Sequence, residues 1–121
     1  MTTSSVDDAL HDLLRYDEIL GVVAVNIEGL VMGRAGIDLQ DADVAGAVGA
    51  ALVGATERTA LRLGAGPAQA VSIATPDGMI HVQNAGNFAL IVFSEPCEGA
   101  AIRQACQDAI AKIEALLQPA A

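Results

Sequence analysis

The chain has 121 residues, of which 53% are hydrophobic and 17% charged, and its formal net charge is −9 at pH 7. This length fits one domain and argues against a two-domain enzyme with a cleft between its lobes, while the apolar composition argues against a disordered chain. The excess of acid and the presence of only three aromatic side chains, with no tryptophan, argue against a nucleic-acid-binding surface built on phosphate contacts and base stacking.

The first third of the chain predicts a helix followed by a hairpin of two strands. Apolar residues recur at helical spacing over residues 5–16. Residues 19–25 are almost continuously apolar, which is typical of a strand buried on both faces. Glu28-Gly29 then favours a tight turn, residues 30–32 return as a second strand, and a loop is expected over 33–40.

A long helix is predicted in the middle of the chain. Asp41 or Asp43 begins this helix, because a short acidic side chain suits a helix N-terminus. The helix is expected to end near Leu63, where Gly64 supplies a stop.

The last third predicts three strands and a closing helix. Residues 70–75 and 80–83 alternate apolar and polar positions on either side of a Thr75-Pro76-Asp77-Gly78 turn. Residues 88–93 are again continuously apolar, and a helix is expected over 96–117. The order is therefore helix, two strands, helix, three strands, helix. The two continuously apolar strands belong in the middle of the sheet, and helices should cover both faces.

This order, with its residues, resembles the Roadblock/LC7 family over about residues 6–117. The most specific match is the strand–turn–strand segment LGVVAVNIEGLV at residues 20–31. Further matches are LRLGAG at 61–66, the Asp77-Gly78 hairpin and the strand FALIVF at 88–93. The resemblance implies an α/β (α+β) fold in which a five-stranded antiparallel sheet carries helices on both faces, as a single domain spanning 1–121.

The same resemblance implies partners rather than a reaction. Members of the family typically form dimers in which the middle helices and the third strands meet. Bacterial members are similar to regulators of Ras-like small GTPases, and eukaryotic relatives serve as dynein-type motor light chains and scaffold subunits. The matching motifs are structural, and none of them is catalytic.

The middle helix is unusually small and uncharged over residues 44–56. Gly46, Ala50 and Gly54 lie four residues apart and therefore share one face. Each glycine costs ~1 kcal/mol against alanine inside a helix, so glycines here need a structural reason. We interpret this face as a close contact between two copies of the helix, which cross near Ala50. Strand 70–75 is expected to pair with the same strand of the second copy. The alternative is a helix thinned to lie flat on its own sheet. The predicted dimer interface comprises Gly46, Ala50, Val53, Gly54, Val71 and Ile73.

Charged residues flank this uncharged stretch. Arg58 and Arg62 lie one turn apart near the negative end of the helix dipole, beside Glu57. An uncharged centre with a polar rim is typical of protein interfaces, so the helix is predicted to bind a partner protein. A merely solvated, dipole-matched face is the alternative. The predicted partner-binding residues are Asp43, Ala47, Glu57, Arg58 and Arg62.

No catalytic or metal-binding set of residues is visible in the sequence. His11 and His81 lie on different elements without ligand spacing to Cys or acid, and His81 is expected on the wetter face of its strand. Gly64-Ala65-Gly66 follows a helix and lacks the lysine of a phosphate loop. Cys97 could be a redox thiol near a helix start, but its acidic neighbours favour an inert thiol, and Cys106 is predicted in the core. We therefore expect no enzyme activity, cofactor or metal.

Location and function follow as hypotheses. The absence of an apolar run of ~18–20 residues and of a signal peptide, together with only two cysteines, predicts a cytoplasmic protein. The first hypothesis is a regulatory or scaffold homodimer that binds a small Ras-like GTPase, in a GC-rich bacterium as the single lysine indicates. The second is a small-molecule sensor with a pocket between sheet and helices, against which the few polar groups on the central strands argue.

Overall fold

The structure is a computed structural model that describes residues 5–118. It consists of a five-stranded antiparallel sheet with helices on both faces. The elements in chain order are α1 (Val6–His11), β1 (Ile19–Asn26), β2 (Val31–Ala35), α2 (Leu39–Arg62), β3 (Ala70–Thr75), β4 (Gly78–Asn84), β5 (Phe88–Ser94) and α3 (Gly99–Leu117). The predicted order of elements is confirmed. No helix within residues 5–118 is long and apolar enough to cross a membrane.

The sheet has the strand order β2-β1-β5-β4-β3. The two continuously apolar strands, β1 and β5, pair with each other and have a neighbour on their other side, as predicted. Successive side chains of a strand point to opposite faces, so strands without a polar face must be covered twice. The alternating strand β3 lies at one edge of the sheet.

Two separate cores lie on the two faces of the sheet. On one face, Val22 and Leu90 pack with the buried residues of α1 and α3. On the other face, Val23 and Ile91 pack with Ala42 of α2. The second face is covered by one helix instead of two, and this difference positions the site described below.

Strand β2 is longer than the sequence predicted. It runs to Ala35, whereas a loop was expected from Gly33 onward. Its residues pair with β1, with Ala35 opposite Val22 and Gly33 opposite Ala24. The small side chains gave no apolar alternation to read, and the pairing with β1 decides the length.

Two predicted helix starts also move. Helix α2 begins at Leu39, because the Asp38 carboxylate caps it by accepting a hydrogen bond from the Asp41 backbone N–H at 2.8 Å. Helix α3 begins at Gly99 and not at residue 96. The first helix ends at His11 and continues as a 3₁₀ turn over Asp12–Arg15.

His81 is buried, contrary to the expectation of a wetter strand face. It lies opposite Val92, a residue of the core beneath α1 and α3, and paired residues share a face. Its Nε2 lies 3.0 Å from Gln83 Oε1, an atom that can only accept, so Nε2 carries the proton. Its Nδ1 then accepts from the Ser72 hydroxyl at 2.6 Å. These two hydrogen bonds allow the imidazole to be buried.

Candidate protein-interaction surface

One face of α2 lies against its own sheet. Ala42, Gly46 and Gly49 are its buried residues. A Cβ placed on Gly46 would lie 2.6 Å from Val25 Cγ1, and a Cβ placed on Gly49 would overlap Ile91 Cδ1. Side chains at these positions would hold the helix away from β1 and β5, so the two glycines permit the close packing of α2 on the sheet.

One flank of α2 accommodates the turn between β1 and β2. Gly29 has a φ of +87°, a conformation that favours glycine, and its N–H donates to the Asn26 carbonyl oxygen at 2.9 Å. A Cβ placed on Gly29 would lie 3.4 Å from Ala47 Cα and 3.5 Å from Ala50 Cβ. Small residues on this flank therefore make room for the turn of the same chain.

Within the single chain, part of the small-residue face lies against the chain's own sheet, and the predicted contact of this face with a second copy stays a prediction. Gly46 is buried against Val25 of its own chain, which is the alternative of a helix thinned to lie flat on its sheet. Ala50 is half-buried beside the β1–β2 turn, and Val53 packs against the core on the α2 face. Gly54 is half-buried as well, but a Cβ placed there would meet only Arg58 Nη1, at 3.6 Å.

The opposite flank of α2 borders an open apolar groove with a volume of about 470 Å³. The groove is lined by Val44, Val48 and Leu52 from α2 and by Ile73, Ile80 and Phe93 from the sheet. Val44 is 63% exposed and Val48 52% exposed, and together with the other lining residues they form a continuous apolar surface of the kind that marks interaction sites. Asp41 is the one charged residue of the lining. The second sheet face is thus incompletely covered within the single chain.

The edge of the sheet adjoins this groove. Val71 and Ile73 of β3 lie opposite Val82 and Ile80 of β4, and both therefore lie on the α2 face. Strand β3 pairs with β4 alone, so its outer backbone groups have no strand partner within residues 5–118. Of these two predicted residues, Ile73 lines the groove, and Val71 lies on the same face of the same strand.

Sequence reasoning missed the α2 wall of the groove. Val44, Val48 and Leu52 recur every four residues, which is the spacing of one helix face. This signal is present in the sequence. It competes with the parallel row of small residues, and only the packing on the sheet shows which row stays uncovered.

Most of the predicted partner-binding residues are exposed to solvent. Asp43, Ala47, Arg58 and Arg62 are exposed, and Glu57 is half-buried. None of them takes part in the ion pair between Lys112 Nζ and Asp12 Oδ2, which lies elsewhere at 3.1 Å. The charged ends of α2 are therefore available to groups outside the chain.

The two cysteines are both free thiols in different surroundings. Cys106 lies in the core as predicted, and burial raises the pKa of its thiol to about 12. Cys97 is half-buried, with its Sγ 3.7 Å from Ser94 Oγ. Within residues 5–118, no three side chains of His, Cys, Asp or Glu lie close enough together to hold a metal ion.

Comparisons with known proteins identify this architecture. Residues 5–94 match the family model of the Roadblock/LC7 domain. An uncharacterised protein of Methanocaldococcus jannaschii is 30% identical over 95 residues, which are 78% of this chain and 80% of that protein. The crystal structure of a Roadblock/LC7 domain from Streptomyces avermitilis is similar with a TM-score of 0.88 at 20% identity, covering 94% of this chain and 98% of that chain. Myxococcus xanthus MglB is similar with a TM-score of 0.82 at 15% identity, covering 92% and 93%. Because the family model spans most of the sequence and the whole sheet agrees in fold, the chain belongs to the Roadblock/LC7 family.

Proposed function

We propose that this protein is a non-catalytic homodimer that binds a Ras-like small GTPase in the bacterial cytoplasm, as a regulator or a scaffold. Family membership and the likeness to MglB support a regulatory role through protein contacts. The GTPase as partner is supported by the resemblance to the bacterial regulators of the family. The observation that carries the proposal is the apolar groove beside the unpaired edge of β3.

A second copy of the chain fits both features at once. In a dimer with a two-fold axis beside β3, the two β3 edge strands would pair and join the two sheets. Helix α2 of the second copy would then lie over the groove. Val44, Val48 and Ile73 would then lose their exposure to water, which is the driving force for association. Pairing would also remove the exposed edge, which is otherwise a site of aggregation.

The remainder of α2 would then face the GTPase. Asp43, Ala47 and Arg58 are exposed, and none of them lines the groove. Arg62 continues this polar surface at the end of the helix, and Glu57 lies half-buried beside it. Charges of both signs at a rim tune the association rate and the choice of partner more than they tune affinity.

The dimer is tested by a charge placed in the groove. Val48→Arg would bury an unpaired guanidinium in the interface and should give a monomer, whereas the matched variant Ala111→Arg on the exposed side of α3 should stay dimeric. Light scattering at tens of micromolar protein measures the mass. A monomeric wild-type protein, or a dimeric Val48→Arg variant, would contradict the proposed interface.

The partner surface is tested with a charge reversal on α2. Arg58→Glu should weaken binding of the GTPase, and Arg103→Glu on α3 serves as the control because Arg103 is also exposed. Each variant is first shown to be folded and dimeric. It is then titrated calorimetrically with a small GTPase encoded beside this protein, loaded with GDP or GTP. Equal affinities for both variants would place the binding surface elsewhere, most directly on α1 and α3.

The groove also favours a second candidate, a sensor domain for an apolar small molecule. Its volume of about 470 Å³ lies within the range of small-molecule sites. A ligand there would take the place of the second copy. A monomeric wild-type protein that binds one equivalent of an apolar fluorescent dye, and loses it on Val48→Arg, would support this candidate over the dimer.

A further inference from the structure

A second, smaller cavity lies under the C-terminal half of α2, where the helix crosses the end of the sheet. Its volume is about 120 Å³. Apolar walls come from Ile27 after β1, Val53 of α2 and Phe88 at the start of β5. It shares no lining residue with the groove and is therefore a separate cavity beside the same helix.

Two amide side chains hold the rim of this cavity in place. Asn26 Oδ1 accepts hydrogen bonds from the backbone N–H groups of Glu28 and Leu30 at 2.9 and 3.0 Å. Asn84 Nδ2 donates to the Ala68 carbonyl oxygen at 3.0 Å, and its Oδ1 accepts from the Gly86 N–H at 2.9 Å. Both turns that border the cavity are therefore fixed from within, and the cavity exists before any partner arrives.

Glu57 is the one charged residue of the lining. It is half-buried, and no hydrogen bond or ion pair joins its carboxylate to another residue of the range 5–118. Its neighbour along the chain, Arg58, turns toward Gly54 instead. A partly desolvated carboxylate without a counter-charge favours a cation supplied from outside the chain.

The cavity fits one kind of group. A long basic side chain has an apolar stem, which suits the walls, and a charged head, which suits a carboxylate at the rim. The exposed Ile27 side chain, which is 76% accessible, adds apolar contact at the mouth. The net charge of −9 acts in the same sense, because it draws basic surfaces toward the protein.

We propose that this cavity receives a lysine or arginine side chain of the partner protein, with its methylene stem along Ile27, Val53 and Phe88 and its head on the Glu57 carboxylate. The inference rests on the proposed function, since it assigns an anchoring contact to the partner that binds α2. It adds a chemical requirement to the partner, namely a protruding basic residue in place of a flat surface.

The site is tested without knowing the partner, by two-dimensional NMR of the ¹⁵N-labelled full chain. The probes are the Nα-acetyl methylamides of arginine, lysine and norleucine, the last being an uncharged chain of similar length. The basic probes should give saturable shifts of the amides of Ile27, Gly54 and Gly86, and norleucine should not. In Glu57→Gln the affinity should fall by about three-fold, as expected for one partly solvated ion pair. Asp77→Asn, which removes an exposed carboxylate at the β3–β4 turn, should leave it unchanged.

The two proposals can fail separately. Absence of shifts at the cavity, or equal shifts in wild type and Glu57→Gln, would overturn the inference. A small GTPase that binds the wild type and Glu57→Gln with equal affinity would also overturn the inference, although the proposed function would then stand. Basic probes that bind at the cavity of a chain that binds no small GTPase would overturn the proposed function and leave the cavity a site for a basic side chain of another protein.

Discussion

Replacing the three glycines of α2 by alanine, one at a time, tests which way each part of the helix faces. Alanine is favoured over glycine by about 1 kcal/mol at each position inside a helix, so the sign of the net effect depends on what the new methyl group meets. At Gly54 it meets only Arg58 Nη1 at 3.6 Å, the end of a flexible side chain. Gly54→Ala should therefore stabilise the fold by about 1 kcal/mol and raise the Tm by roughly 3–5 °C.

Gly46→Ala should have the opposite effect. Its Cβ would lie 2.6 Å from Val25 Cγ1 and 3.0 Å from the Gly29 carbonyl oxygen, and that oxygen belongs to the backbone and cannot move aside cheaply. Overpacking of a core costs about 1–3 kcal/mol, so after a gain of about 1 kcal/mol in helix propensity a net loss of up to about 2 kcal/mol is expected. Gly49→Ala should also destabilise the fold, because its Cβ would overlap Ile91 Cδ1 and lie 2.7 Å from Ile91 Cγ1, and Ile91 is a buried, β-branched side chain with little room to rotate.

The assay is urea unfolding followed by circular dichroism at one protein concentration, with light scattering to show that each variant keeps the oligomeric state of the wild type. The expected order of stability is Gly54→Ala above wild type and Gly46→Ala below it. Gly46→Ala at least as stable as wild type would refute the packing of α2 on its own sheet. A Gly54→Ala variant that dissociates would return the small-residue face to the dimer interface.

Three further predictions concern single side chains. Asp38→Ala removes the N-terminal cap of α2 and should cost about 1 kcal/mol in thermal unfolding, whereas Asp43→Ala, an exposed position inside the helix, should cost less; equal losses would contradict the cap. Gln83→Leu leaves the His81 Nε2–H buried without an acceptor and should cost about 1–3 kcal/mol in urea unfolding, while an unchanged midpoint would contradict the assigned tautomer. Burial raises the pKa of Cys106 from 9.0 to about 12, so the folded state keeps the thiol neutral where the unfolded chain ionises. The free energy of unfolding should thus fall above pH 9, by at most about 1.4 kcal/mol per pH unit, and Cys106→Ala should remove this part of the slope; an identical slope in both proteins would refute it.

Much of the fold follows from local patterns. The segments 19–25 and 88–93 are continuously apolar, and this alone places β1 and β5 in the middle of the sheet, because a strand without a polar face has to be covered on both sides. Glycine at position 29, after an acidic residue, marks the first hairpin, and the observed φ of +87° explains the need for glycine there. Such signals are readable because they depend on neighbours in the sequence.

The same patterns were insufficient where the pairing of distant segments decides. The end of β2 depends on the pairing of Gly33 and Ala35 with residues of β1, and neither residue type is typical of a strand. His81 is a polar residue in the alternating pattern of β4, but whether its face of the strand is exposed to water depends on the helices that cover that face. Alternation identifies two faces of a strand but does not say which one is covered.

Helix α2 shows the division most clearly. Its sequence by itself determined that a long, small and uncharged helix lies in the middle of the chain, and that close packing is the reason for its glycines. When a helix is apolar nearly all round, its sequence does not show which face packs on the sheet, because every face is similarly apolar. Only the tertiary structure decided that Gly46 and Gly49 serve the chain's own sheet and that Val44 and Val48 stay exposed beside the edge strand. The physical reason is steric: the distance between a backbone and the sheet beneath it is set by residues far apart in sequence, and the side left uncovered is known only after that contact is made.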